Sequence, residues 1–159
     1  MSADADRLKV VLCWHMHQPD YRGPEHSEYQ LPWVYLHGIK DYVDMAAHLE
    51  DNPRARAVVN FAPVLLEQID DYSQQIREFE RYRRPLGDPL LAALAGPVLP
   101  TEPAARQQLL AACLRANETH LINRFPVFRE LVDLAAWFQE RPGSAAYLSD
   151  QYLVDLLVW

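Results

Sequence analysis

The chain has 159 residues, half of them hydrophobic and 23% charged, which suits a soluble globular unit with a real core. A formal net charge of −7 argues against nucleic acid, whose backbone needs a basic footprint, and suits a neutral substrate better than an anionic one. The stretch from Met1 to Arg7 lacks the basic start and apolar run of a secretory signal, and no segment approaches the roughly 18 apolar residues of a membrane span. Cys13 and Cys113 have no metal-type spacing and read as buried free thiols of a cytoplasmic protein.

A first strand is expected from about Arg7 to Trp14, apolar on both faces as a parallel strand covered on both sides should be. It runs into Trp14-His15-Met16-His17-Gln18-Pro19. Side chains two apart on a strand share a face, so His15 and His17 project together from its carboxyl end, where Pro19 stops the ladder. In α/β barrels and open α/β sheets that end is where ligands bind. A loop from Asp20 to Pro32 follows, continuing into the aromatic-rich stretch of Tyr29, Trp33 and Tyr35. Helical spacing then links Leu36, Ile39, Val43, Ala46, Ala47 and Leu49, until Asn52-Pro53 ends the helix.

A second strand is expected from Ala55 to Phe61, cut by Pro63, which completes a βαβ unit with parallel strands. Beyond it the pattern is helical: Val64 to Tyr72, with Leu65, Leu66 and Ile69 on one side, then a polar stretch from Ser73 to Arg84. Prolines and glycines punctuate residues 85–103. Three further helices are expected, at about Glu102 to Ala116, at Glu118 to Gln139 with the stripe Leu131, Leu134, Ala135 and Phe138, and from an N-cap at Ser149 to the end. Two parallel strands cannot make a covered sheet, and Leu156-Leu157-Val158-Trp159 is an odd terminus, so the chain reads as truncated at Trp159.

The blocks His15-Met16-His17-Gln18-Pro19, Leu31-Pro32-Trp33-Val34 with Leu36-His37-Gly38-Ile39-Lys40-Asp41-Tyr42, and Val59-Asn60-Phe61-Ala62-Pro63 through Ile69 resemble the N-terminal region of glycoside hydrolase family 57. That family includes α-amylases, amylopullulanases and 4-α-glucanotransferases. The resemblance implies the N-terminal portion of a (β/α)7 barrel, with residues 1–72 as its strand–helix–strand start and 73–159 as a helical segment of the same incomplete domain. It implies a retaining mechanism on α-glucans or maltooligosaccharides, with a glutamate nucleophile and an aspartate acid/base that both lie past Trp159. The chain alone would then be inactive and would need the rest of its own domain as partner. His15 and His17 match the family's sugar-binding histidines, and no cofactor is implied.

The residues themselves agree, because sugar hydroxyls need donors and acceptors at fixed points and a neutral imidazole supplies one of each. Gln18, Trp33 and Asn60 join the histidines as candidate substrate contacts, with Gln18 alternatively orienting a histidine; each also has an ordinary structural reading, as a turn cap, a loop anchor and a strand-end hydrogen bonder. Adjacent Asp70 and Asp71 read as solvated helix face, since neighbours on a helix do not face each other. Lys40 and Asp41 read as surface or ion-pair residues, and Arg81, Arg83 and Arg84 as a solvated cluster. A metal would need a third ligand, and His26, His37, His48 and His120 show no convergence. Two other readings stay open: a non-catalytic carbohydrate-binding or regulatory protein, and a metal-dependent sugar hydrolase or deacetylase.

Overall fold

A computed structural model describes residues 8, 10–25, 28–96 and 99–159. The chain divides into two compact units, Met1–Gly87 and Asp88–Trp159. The first is α/β. Strand β1 is Leu12–Met16 and β2 is Ala57–Phe61; they pair in parallel, with Leu12 opposite Ala57 and Met16 opposite Phe61. Between them run α1 (Trp33–His37), a π-helical turn (Gly38–Tyr42) and α2 (Val43–Asp51). Helix α3 (Pro63–Tyr82) completes the unit.

β1 begins later than the sequence pattern suggests. Arg7 and Lys9 lie outside the described residues, and Leu8, Val10 and Val11 carry no ladder. The partner strand explains this. Ala55 N–H donates to Asn52 O at 2.8 Å and Arg56 bonds back to Pro53 O, so a turn occupies the chain until Ala57. Asn52 does end α2, donating its side-chain amide to His48 O at 2.9 Å. The apolar alternation forms the strands, yet both faces stay largely open: Val58 is 56% exposed, Val59 and Phe61 are exposed, and so is Cys13, which corrects its reading as a buried thiol. On the helices Ile39 and Val43 are exposed too.

The segments read separately as Val64 to Tyr72 and Ser73 to Arg84 are one helix. Pro63 fits its first turn, where an N–H is not needed. Its buried face is Leu65, Gln68 and Tyr72, while Leu66 is exposed. The helix stops at Arg83, which takes the left-handed C-cap conformation with φ 56°.

The second unit is all helical. Helix α4 (Pro89–Ala95) forms within the stretch that prolines and glycines punctuate; buried Asp88 caps it, its Oδ1 accepting from Leu90 N–H at 2.9 Å and Leu91 N–H at 3.0 Å. Helix α5 is Pro103–Cys113 and α6 is Pro126–Gln139. The helix expected from Glu118 is broken, because Pro126 cannot donate to the preceding turn and forces Phe125 into an extended conformation. Only a short 3₁₀ turn, Ile122–Arg124, forms ahead of it among these residues. A second 3₁₀ segment, Pro142–Tyr147, leads to α7 (Asp150–Val158), capped by Ser149, whose Oγ accepts from Tyr152 N–H at 3.1 Å.

Leu110, Phe128, Ala135, Leu153 and Leu156 anchor a contiguous core in this unit. The stripe on α6 is Phe128, Val132, Ala135 and Phe138, with Leu131 packed beside it; Leu134 faces solvent. Arg106 is nearly buried and donates to Pro100 O, Leu148 O and Asp150 Oδ1, so its charge is paired and three of its five N–H donors have partners. No helix among the described residues is long and apolar enough to cross a membrane.

Candidate functional site

His15 is the fourth residue of β1 and stands opposite Asn60 of β2. Its Nδ1–H donates to Asn60 Oδ1 at 2.7 Å. That bond leaves Nε2 of a neutral ring as an acceptor. His17, one residue past the strand, keeps the strand's alternation: its ring lies 5.9 Å from that of His15 at 11° between planes. Both rings and Asn60 are exposed, whereas Met16, on the other side of the backbone, is buried. The structure therefore gathers His15, His17 and Asn60 at the carboxyl end of the sheet.

Gln18 serves the turn. Its Oε1 accepts from Tyr21 Oη at 2.9 Å and its Nε2 donates to Tyr42 Oη at 3.4 Å, so Asn60, and not Gln18, orients a histidine. Burial raises the Tyr21 hydroxyl above its ordinary pKa and keeps it a donor. Trp33 opens α1 instead of lying in a loop; it is partly buried and its ring centroid is 6.3 Å from that of His37.

The loop that carries the histidines into α1 is held by side chains that sequence reasoning left without a role. Fully buried Gln68 accepts from Tyr21 N–H at 3.0 Å and donates to Pro19 O at 2.9 Å and Val64 O at 3.0 Å. Buried Tyr29 donates its hydroxyl to Asp71 Oδ2 at 2.7 Å, so Asp71 is a loop anchor and only Asp70 remains exposed helix face. Burial and that carboxylate drive the Tyr29 hydroxyl far above its usual range. Arg22 forks onto both oxygens of Asp20, each at 2.9 Å, and this pairing pushes its pKa up. One signal was available. Gln68 is a polar residue spaced three after Leu65 and four before Tyr72, in the middle of a helix's buried face.

Two further groups flank this region. His37 Nδ1–H donates to Asp41, which Lys40 Nζ also reaches at 3.1 Å; the imidazole bond, more than Lys40, holds the Asp41 carboxyl below its ordinary range. Among the described residues no set of three or more His, Cys, Asp or Glu side chains is placed to hold a metal ion. The geometry can bind a polyhydroxylated neutral molecule through imidazole and amide groups. The residues that gather at the end of the sheet, His15, His17 and Asn60, include no carboxylate.

No curated protein and no solved structure matches the chain. The family description glycosyl hydrolase family 57 matches residues 11–140, a span that takes in the histidine turn, Asn60, Gln68 and most of the helical unit, and the chain belongs to that family.

Proposed function

We propose that this chain is the opening part of a retaining glycoside hydrolase or glucanotransferase acting on α-glucans, with β1 and β2 as the first strands of a (β/α)7 barrel and His15, His17 and Asn60 as contacts to the sugar at the scissile bond. The observation that carries this reading is the His15–Asn60 bond across two parallel strands, with His17 stacked in line at the carboxyl end. Family membership supports glycosidase or glucanotransferase chemistry on α-glucans. With Nδ1–H engaged, His15 offers Nε2 to a sugar hydroxyl, and an interaction that tightens as the anomeric carbon gains positive charge raises turnover as well as affinity.

Bond cleavage by retention needs a nucleophile and an acid/base about 5–5.5 Å apart. We place both carboxylates on barrel strands past Trp159, so the 159-residue chain is a substrate-binding part of one domain and hydrolyses nothing by itself. The open faces of β1 and β2, with Val58, Val59 and Phe61 exposed, are the surface that further strands and helices of the barrel would cover. Gln18 then buttresses the edge of the site and Trp33 offers a ring face to the glucan. Free Cys13 and Cys113 fit a reducing, cytoplasmic compartment.

Titration of the chain with maltotriose tests this. His15→Ala and His17→Ala should each weaken binding by about tenfold, the scale of one to two lost hydrogen bonds, while both variants melt like the parent because the rings are exposed. Unchanged binding in His17→Ala would remove the pair from the site. Release of glucose or maltose by the chain alone would overturn the placement of the carboxylates.

A further inference from the structure

The helix that follows the histidine loop changes pitch at an informative place. In a regular α-helix a residue five further on lies about 140° around the axis, so Tyr42 would turn away from His37. The π-helical turn Gly38–Tyr42 widens the repeat and brings residues five apart onto one face. The His37 and Tyr42 ring centroids are accordingly 6.3 Å apart, and the His37 and Trp33 centroids, four residues apart on α1, are also 6.3 Å apart. Trp33, His37 and Tyr42 thus form one strip.

The strip combines two chemistries. His37 Nδ1–H is given to Asp41, whose other oxygen takes Lys40 Nζ at 3.1 Å, so His37 Nε2 is the acceptor left over. The side chains of His37 and Asp41 are 40% and 39% exposed, which is not the burial of a core pair. The hydroxyl of Tyr42 accepts from Gln18 Nε2 at 3.4 Å, and Gln18 follows His17 directly, so the strip joins the histidine turn at its end. Aromatic faces flanking a fixed imidazole match a glucose ring, whose C–H face stacks while its equatorial hydroxyls seek acceptors.

We propose that Trp33, His37 and Tyr42 form a second sugar subsite, taking a glucose unit of an α-glucan further along the chain from the unit held by His15 and His17. The inference rests on the sugar reading of that histidine pair. Asp41 acts through His37 as a positioning residue, holding the ring in the tautomer that accepts at Nε2. The π-helical turn is what aligns Tyr42 with the other two rings.

The test follows histidine and tryptophan ring resonances of the whole chain while maltose or maltoheptaose is added. The expected result is that both sugars move His15 and His17, whereas His37 and Trp33 respond to maltoheptaose alone. His37→Ala should lower the ratio of maltoheptaose to maltose affinity by about tenfold, and His15→Ala should weaken both sugars. If maltoheptaose moves His15 and His17 but leaves His37 and Trp33 still, the second subsite is overturned and the first stands. If neither sugar moves any of these rings, both fall. Should His37→Ala fail to fold, the resonances of the parent chain decide the matter.

Discussion

Residues 88–159 bury ten residues in one contiguous apolar cluster, while the buried apolar residues described in 1–87 are Met16, Tyr29, Val34, Leu65 and Tyr72. The helical unit has amphipathic helices that close on each other, so apolar burial is its main support, with Arg106 and Asp88 as buried polar additions. The strand-containing unit leaves its sheet faces open and relies on polar clamps: Gln68 on the backbone of Pro19 and Tyr21, Asp71 on Tyr29, and Gln75 Oε1 on Gly87 N–H at 2.7 Å. The first two hold the loop that follows His17 and Gln18, and Gly87 O in turn accepts from Tyr29 N–H at 2.8 Å. Where burial is scarce, directional bonds to part-buried backbone groups take over the task of fixing a loop.

The contrast can be broken hardest in the helical unit. Leu153 has no exposed surface, and Leu153→Ala should cost about 2–5 kcal/mol, read as a lower midpoint in chemical denaturation. A loss below that range would mean the core there collapses to fill the space.

The two thiols report the same difference in kinetics. Burial pushes the Cys113 thiol up to about 11 from the usual 9.0, about a hundredfold less thiolate than an ordinary cysteine near neutral pH. Cys13 is exposed on the open sheet. Iodoacetamide should therefore label Cys13 first under native conditions, with Cys113 following only on unfolding; equal rates would contradict a closed helical core.

Gln68→Ala sharpens the role of the clamps. It leaves the Pro19 carbonyl and Tyr21 N–H without their partner, at a cost of about 1–3 kcal/mol. The Tyr21 amide should also exchange faster with solvent, and unchanged exchange would show that Tyr29 and Asp71 hold the loop unaided.

The smallest expected effect is electrostatic. Asp41 has a lowered pKa in the folded chain, so its contribution is fully present above the ordinary carboxylate value of 3.8 and is lost as pH falls through the lowered one. The pair is partly solvated, which limits its worth to less than about 1 kcal/mol. The stability gap between the parent and Asp41→Asn should therefore hold above about pH 5 and narrow as pH falls past 3.8 toward the lowered value; a constant gap would deny the pair any role.

Much of this was written in local chemistry. Alternating apolar residues around Leu12 and Val58, Asn52-Pro53 at a helix end, Ser149 as an N-cap and the histidine spacing each act within a few residues, so the strand–helix–strand order and the shared face of His15 and His17 could be read directly. Asp88-Pro89 carried a cap signal that the surrounding prolines and glycines obscured. Phe125-Pro126 carried a break that helical periodicity across residues 118–139 masked.

Asn60, not Gln18, orients His15 because parallel register placed the two residues opposite each other, 45 positions apart. Gln68, Tyr29 with Asp71, and the π-helical alignment of Tyr42 with His37 are likewise invisible to any short window. The sequence by itself determined the strand–helix–strand order and which face carries the histidines, because those follow from backbone periodicity. Only the tertiary structure decided which side chains hold that face in place, because a hydrogen bond's partner depends on where distant backbone ends up.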